Sequence, residues 1–142
     1  MRQVKHLLVD KGREIFSTSP EAPVLAAISA MAERYVGALL VMHDDRLAGI
    51  VSERDYARKI VLKGRSSAET PVADIMTREV ITVTPDDTID HCMRLCTTHR
   101  VRHLPVLEGE RVIGVLSIGD LVKAVIDEQT EQIEQLQRYI AG

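Results

Sequence analysis

Gly49-Ile50-Val51-Ser52-Glu53-Arg54-Asp55 and Gly114-Val115-Leu116-Ser117-Ile118-Gly119-Asp120 are the two stretches on which the fold turns. Both read G-x-x-S-x-x-D. In each, an apolar strand-like run arrives through the glycine and a helical pattern leaves from the serine. They lie 65 residues apart, and at that offset Ile15–Leu62 superposes on Val80–Asp127 without a gap. Eight of the 48 pairs are identical, among them Pro20/Pro85, Val36/Val101, Leu39/Leu104 and Arg46/Arg111. Pairs such as Val24/Ile89 and Ile50/Val115 keep their character. A chance alignment would give only a few identities, so the chain is a tandem duplication.

Each copy reads β-α-β-β-α. Ile15–Ser17 and Val80–Val83 are short strand runs that stop at Pro20 and Pro85. Helices follow over Pro23–Tyr35 and Thr88–His99, with Pro23 suited to a first turn where its missing N–H costs nothing. Val24, Ala27, Ile28 and Met31 form one helical stripe; Ile89, Cys92, Met93 and Cys96 form its counterpart. Ala38–Met42 and Leu104–Leu107 are nearly all apolar, as strands covered on both faces are. The turns His43-Asp44-Asp45 and Glu108-Gly109-Glu110 lead to the return strands Leu47–Val51 and Val112–Leu116. Second helices start at Ser52 and Ser117. The expected fold class is α/β (α+β): unit 1 over residues 1–65, unit 2 over 66–127, and a C-terminal helix over 128–142. The polar segment Lys63–Pro71 joins the two copies.

Composition narrows the function. The 142 residues are 45% apolar and 27% charged, enough for a real core and far from disorder. Aromatics are 3%, with no Trp, so the core is aliphatic and base-stacking platforms for single strands are missing. A net charge of −3 argues against nucleic-acid binding by counterion release. The longest clean apolar run, Val36–Met42, is too short to span a bilayer. No signal-peptide pattern is evident near the N-terminus, and two cysteines make no disulfide framework. A cytoplasmic location is expected.

The G-x-x-S-x-x-D segments admit two readings. In one, Ser52 and Ser117 are helix N-caps and Asp55 and Asp120 close capping boxes. In the other, the helix start attracts a phosphate, the serine hydroxyl donates to it, and the aspartate accepts from both hydroxyls of a ribose. Arg54 favours the second reading, because a cation in a first helical turn opposes the helix dipole unless an anion is near.

At these residues the chain resembles the tandem CBS-domain pair, or Bateman module. The resemblance covers Val4 to about Asp127. It is carried by Asp74-Ile75-Met76-Thr77, Val83-Thr84-Pro85-Asp86-Asp87-Thr88, Arg102-His103-Leu104-Pro105-Val106 and both G-x-x-S-x-x-D segments. It implies two units about a pseudo-two-fold axis, with adenosyl ligands (AMP, ADP, ATP, NAD or S-adenosylmethionine) in two clefts between them. It implies a regulatory module without catalysis, usually a homodimer acting on a separate protein that the sequence leaves unknown. For one site it implies Thr77, Val80, Thr82, Val101, Arg102, His103, Ser117, Gly119 and Asp120. Asp120 would hold the ribose, Ser117 the phosphate, and the segments 80–82 and 101–103 the adenine. For the other it implies Ile15, Ser17, Val36, Gly37, Ala38, Ser52, Arg54 and Asp55. The copies differ there: Arg54 stands opposite Gly119, and Gly37-Ala38 opposite Arg102-His103. The first copy's lead into its strand is about three residues longer and offers only Lys11-Gly12 near the place of Thr77. The two sites are therefore expected to differ in affinity.

Other constellations are weaker. Cys92, Cys96 and His99 share a helix face as zinc ligands could, yet the cysteines align with the core positions Ala27 and Met31, and no metal is expected. Leu116-Ser117-Ile118-Gly119 lacks the first glycine of a nucleophile elbow, and neither a P-loop nor a G-x-G-x-x-G turn is present. Arg102 suits a phosphate clamp at the cleft. Val122, Ile126, Gln129, Ile133, Leu136 and Ile140 follow 4-3-4-3-4 spacing, a seam for its own unit or for a partner chain. The rival to the sensor is a structural homodimer with no nucleotide.

Overall fold

The fold is that of a computed structural model, which describes residues 2–12 and 14–141. The elements run α1 (Val4–Lys11), β1 (Ser17–Thr18), α2 (Val24–Arg34), β2 (Ala38–His43), β3 (Arg46–Ser52) and α3 (Glu53–Tyr56), then α4 (Ile89–His99), β4 (His103–Glu108), β5 (Arg111–Ser117) and α5 (Ile118–Ala141). A π-helical turn, Ala57–Val61, follows α3, and a 3-10 turn covers Val72–Asp74. The duplication shows in backbone detail. Both α2 and α4 end on a left-handed residue with φ 55°, Tyr35 and Arg100, which are equivalent positions.

The chain packs as two units, and each is discontinuous. One joins Ile15–Val80 with Gly109–Val112; the other joins the segment ending at Glu14 with Ile81–Glu108 and everything from Ile113 onward. We call them the first-copy and second-copy units. The duplicated sequence blocks, 1–65 and 66–127, and the packed units thus divide the chain differently. The segment leading into each copy is buried in the unit of the other. Val4, Leu7 and Leu8 of α1 share a core with Cys92 and Cys96 of α4, Leu104, Val106, Leu116 and Leu121. Val72, Ile75 and Met76 share a core with Val24 and Met31 of α2, Leu39, Val41, Val51 and Ile60.

The same backbone bonds fix both leading segments. Val72 N donates to Ala22 O and Ala73 N to Pro20 O; Val4 N donates to Asp87 O and Lys5 N to Pro85 O. The acceptors are 65 residues apart and the donors 68, so the three extra residues expected in the first copy are real. They are taken up by α1, an eight-residue helix where the second copy has a 3-10 turn.

This arrangement explains the two repeated glycines. A Cβ on Gly49 would meet Thr77 O at 2.6 Å and Met76 Sδ at 2.9 Å. A Cβ on Gly114 would meet Leu8 Cδ2 at 2.6 Å. In each copy the leading segment crosses the hairpin where only glycine leaves room.

The first-copy unit has a three-stranded sheet, order β1-β2-β3, with β1 parallel to β2 and β3 antiparallel to it; the second sheet among the described residues is the pair β4-β5, most of which lies in the second-copy unit. The strand expected over Val80–Val83 is reduced to one parallel bridge, Val83 to Val106. Pro105 is the reason. In the first copy Leu40 N donates to Phe16 O at 3.2 Å. The equivalent of Leu40 is Pro105, which has no N–H to give, so the ladder stops after Val83 N to Pro105 O and Leu107 N to Val83 O.

Two further boundaries differ from expectation. Pro23 is the N-cap of α2 rather than part of its first turn. The C-terminal helix is not separate from the second copy's last helix: α5 is continuous over 24 residues. At the β2–β3 turn, Asp44 and Asp45 both have positive φ, as a two-residue hairpin loop requires.

Candidate ligand site

In the first-copy unit, β3 delivers Ser52 to the start of α3. Ser52 Oγ accepts from Asp55 N at 3.2 Å, and Asp55 Oδ2 accepts from Ser52 N at 2.9 Å and from Ser52 Oγ at 3.1 Å. The capping box is closed. The amide of Glu53 is taken as well, donating to Gly37 O at 3.0 Å. Asp55 Oδ1 has Lys59 Nζ at 3.2 Å, and Lys59 also donates to Ile75 O at 2.8 Å. Both oxygens of Asp55 are therefore engaged.

The second-copy unit repeats the start of this pattern and changes its end. Ser117 Oγ accepts from Asp120 N at 3.1 Å, Asp120 Oδ2 accepts from Ser117 N at 2.8 Å, and Ile118 N donates to Arg102 O at 2.8 Å. The cation here comes from α1. Lys11 Nζ donates to Asp120 Oδ2 and to Val115 O, both at 2.5 Å. Val115 is the equivalent of Ile50, whose carbonyl accepts from Thr77 N at 2.9 Å. So the edge carbonyl that a backbone amide satisfies in one unit is satisfied by a lysine ammonium in the other. Among the described residues Asp120 Oδ1 receives no hydrogen bond.

The electrostatics follow. Burial works against the Asp120 carboxylate, but hydrogen bonds from Lys11 and Ser117 outweigh it and hold its pKa below the usual 3.8. His103, half-buried on β4, is pushed below 6.5 by burial first and then by Lys11 and Arg102, with Asp120 opposing them. Imidazole, ammonium, guanidinium and carboxylate thus act on one another around the start of α5. Arg102 itself is exposed.

Thr82, Val101, Arg102, His103, Ser117, Gly119 and Asp120 belong to the second-copy unit, whereas Thr77 and Val80 belong to the first-copy unit. Ile15, Ser17, Val36, Gly37, Ala38, Ser52, Arg54 and Asp55 all lie in the first-copy unit. Ser17 is exposed on β1, Arg54 is exposed in the first turn of α3, and Val36, Gly37 and Ala38 are half-buried where α2 gives way to β2. A Cβ on Gly119 would meet only Ser117 Oγ, at 3.6 Å, so the start of α5 is open where Arg54 occupies the first copy. Sequence reasoning missed both lysines as partners of the aspartates. Lys59 carried a signal, the Asp–Lys spacing of four on one helix. Lys11 stood out only as what the first copy offers near the place of Thr77; its pairing with Asp120 carried no signal, because it depends on where α1 is lodged.

Cys92 and Cys96 are buried free thiols in the second-copy core, and burial raises both pKa values, Cys92 to about 12. His99, by contrast, is exposed. Among the described residues no cluster of three or more His, Cys, Asp or Glu is placed to hold a metal. No helix among them is long and apolar enough to cross a membrane.

Comparison with known proteins agrees with this geometry. The CBS-domain family model matches residues 3–62 and again 72–127. The mitochondrial CBS domain-containing protein CBSX3 of Arabidopsis thaliana is 47% identical over 124 residues; these are 84% of this chain but only 60% of that protein. A solved CBS-domain protein from Burkholderia ambifaria superposes with a TM-score of 0.87 at 52% identity, over 90% of this chain and 96% of the other. The CBS domain pair of MJ0100, solved with 5′-methylthioadenosine and S-adenosyl-L-methionine, shares the fold at 21% identity and a TM-score of 0.80, over 90% and 98% of the two chains. With its duplicated hairpins, exchanged leading segments and paired Ser–Asp helix starts, the chain belongs to the CBS-domain family and carries the two copies that make up a regulatory CBS pair.

Proposed function

We propose that this chain is a non-catalytic sensor of an adenine nucleotide, AMP, ADP, ATP or NAD. It works as a cytoplasmic homodimer and passes ligand occupancy to a separate protein. The observation that carries this reading is the state of Asp120. Among the described residues one carboxylate oxygen receives no hydrogen bond, the other is held by Ser117 and Lys11, and His103 and Arg102 stand in the same electrostatic cluster. An ionised, oriented carboxylate with a free oxygen is what a pair of ribose hydroxyls needs, and nearby cations suit the phosphate attached to it. In this reading Thr77, Val80, Thr82, Val101 and His103 flank the adenine, and Ser117, Gly119 and Arg102 face the phosphate. Ile15, Ser17, Val36, Gly37, Ala38, Ser52, Arg54 and Asp55 make a second, weaker site, weaker because Lys59 already holds the remaining oxygen of Asp55. That MJ0100 was solved with two adenosyl compounds supports the ligand class. The regulated protein is reached by population shift: a ligand moves the equilibrium only by its differential affinity for the two states.

The closed capping boxes favour a second reading, in which Ser52, Asp55, Ser117 and Asp120 only start helices and the chain is a scaffold. Thermal unfolding of nucleotide-stripped protein with AMP, ADP, ATP, NAD, S-adenosylmethionine and GMP separates the two. At 100-fold excess over Kd a ligand adds about 2.7 kcal/mol, or roughly 9 °C for a chain of this length. The sensor reading expects such a shift with an adenosyl compound, none with GMP, and loss of the shift in Asp120→Ala. The scaffold reading expects a cap loss of about 1 kcal/mol in Asp120→Ala and no shift with any nucleotide.

A further inference from the structure

α5 presents two faces of different chemistry. Leu121 and Ala124 are buried in the core of its own unit. Further along, Glu131 pairs with Arg2 at 3.0 Å, and Glu128 and Glu131 line an open groove with His6 and Asp10 of α1. This whole side of the helix is occupied within the chain. The opposite side carries Val122, Ile126, Gln129, Ile133, Leu136 and Ile140, and its five apolar members are 41 to 81% exposed. Such a run at 4-3-4-3-4 spacing is an unpartnered seam, with isoleucine at all three a positions and Val122, Gln129 and Leu136 at d.

We infer that this seam pairs with the same seam of a second copy, as a parallel two-helix coiled coil over residues 122–140. The inference rests on the homodimer reading above, not on the nucleotide reading. Charge selects the occupant. Of the six flanking e and g positions, Val125, Thr130, Gln132, Gln137 and Tyr139 are neutral and only Lys123 is charged. The carboxylates Asp127, Glu128, Glu131 and Glu134 all lie away from the seam. Two copies therefore meet without repulsion although the helix is acidic. Isoleucine at every a position, with leucine at the d position Leu136, suits two strands. Gln129 selects the direction. In a parallel pair it lies level with its own copy, and the two amides satisfy each other. In an antiparallel pair centred on the seam it faces Ile133, and a desolvated amide is left unpaired.

Mass by light scattering and cross-linking through added cysteines test this. The buried Cys92 and Cys96 do not compete for oxidation. The inference expects a particle of twice 15.8 kDa. It expects Ile133→Asp to weaken the dimer roughly 100-fold with the circular dichroism of the fold unchanged, since Ile133 is outside the core. It expects Ile140→Cys alone to give a covalent dimer on mild oxidation. A wild-type dimer that survives Ile133→Asp would place the interface elsewhere and overturn the inference while leaving the homodimer. A dimer lost in Ile133→Asp but linked only between Val122→Cys and Ile140→Cys chains would overturn the parallel direction. A wild-type monomer would overturn both the seam and the homodimer.

Discussion

The contact between Lys11 and Asp120 holds the leading segment of one copy onto the helix start of the other, so its strength can be isolated. Lys11 Nζ lies 2.5 Å from Asp120 Oδ2, with the two side chains 38% and 29% exposed. An exposed pair contributes about 0.2–1 kcal/mol, and a hydrogen bond to a buried charge about 1.5–3 kcal/mol. At one-third exposure, solvent screening keeps the pair near the surface value, and we expect a coupling of about 1 kcal/mol. The unfolding entropy of a 142-residue chain is about 0.3 kcal/mol per kelvin, so this is worth about 3 °C. The assay is a double-mutant cycle with Lys11→Met and Asp120→Asn, read by urea unfolding. Asparagine keeps an oxygen for Ser117 N, so the cap survives and the cycle reports the ion pair. The coupling should fall by about half between low salt and about 0.5 M salt. Two single variants whose effects simply add, at low salt, would refute the reasoning: Lys11 would then be serving Val115 O alone.

Three other outcomes follow from the geometry. Gly49→Ala should cost about 3 kcal/mol and Gly114→Ala about 1 kcal/mol, because the first meets a backbone oxygen and the second the end of a flexible leucine; equal losses on denaturant unfolding would contradict this. His103 binds its proton less readily folded than unfolded, so it stabilises nothing by charging: its contribution is intact above pH 6.5 and is lost as pH falls below it, and NMR titration should show the imidazole pKa rising in Lys11→Met. Cys92, with a pKa pushed to about 12, should resist alkylation at about pH 8 in native protein and react only on unfolding; rapid native labelling would place it outside the core.

The helices and hairpins were legible because their signals are local. Val24, Ala27 and Met31 lie on one face by spacing alone, and they are buried as that spacing requires. Ser52 and Ser117 cap the helices that follow because a cap needs a residue only three positions away. The lost strand at Val80–Val83 was less legible: Pro105 was in view, but its cost appears only once Leu40 is seen donating to Phe16 at the equivalent place. Likewise the serines and aspartates were visible from the repeat, while Lys11 was not, since nothing near it in sequence forecasts a partner 109 residues away.

The duplication, the order of elements, the aliphatic core and the Ser–Asp helix starts are all written in the amino-acid order. Each follows from composition or from spacings of two to four residues, where backbone periodicity leaves few choices. Which unit each leading segment joins, and hence why Gly49 and Gly114 must be glycine, emerges only when the chain is packed. So do the Asp120 oxygen that receives no hydrogen bond among the described residues and the exposed apolar face of α5. Those are outcomes of long-range packing, in which burial of Val4, Leu7, Leu8, Val72 and Ile75 outweighs any local preference.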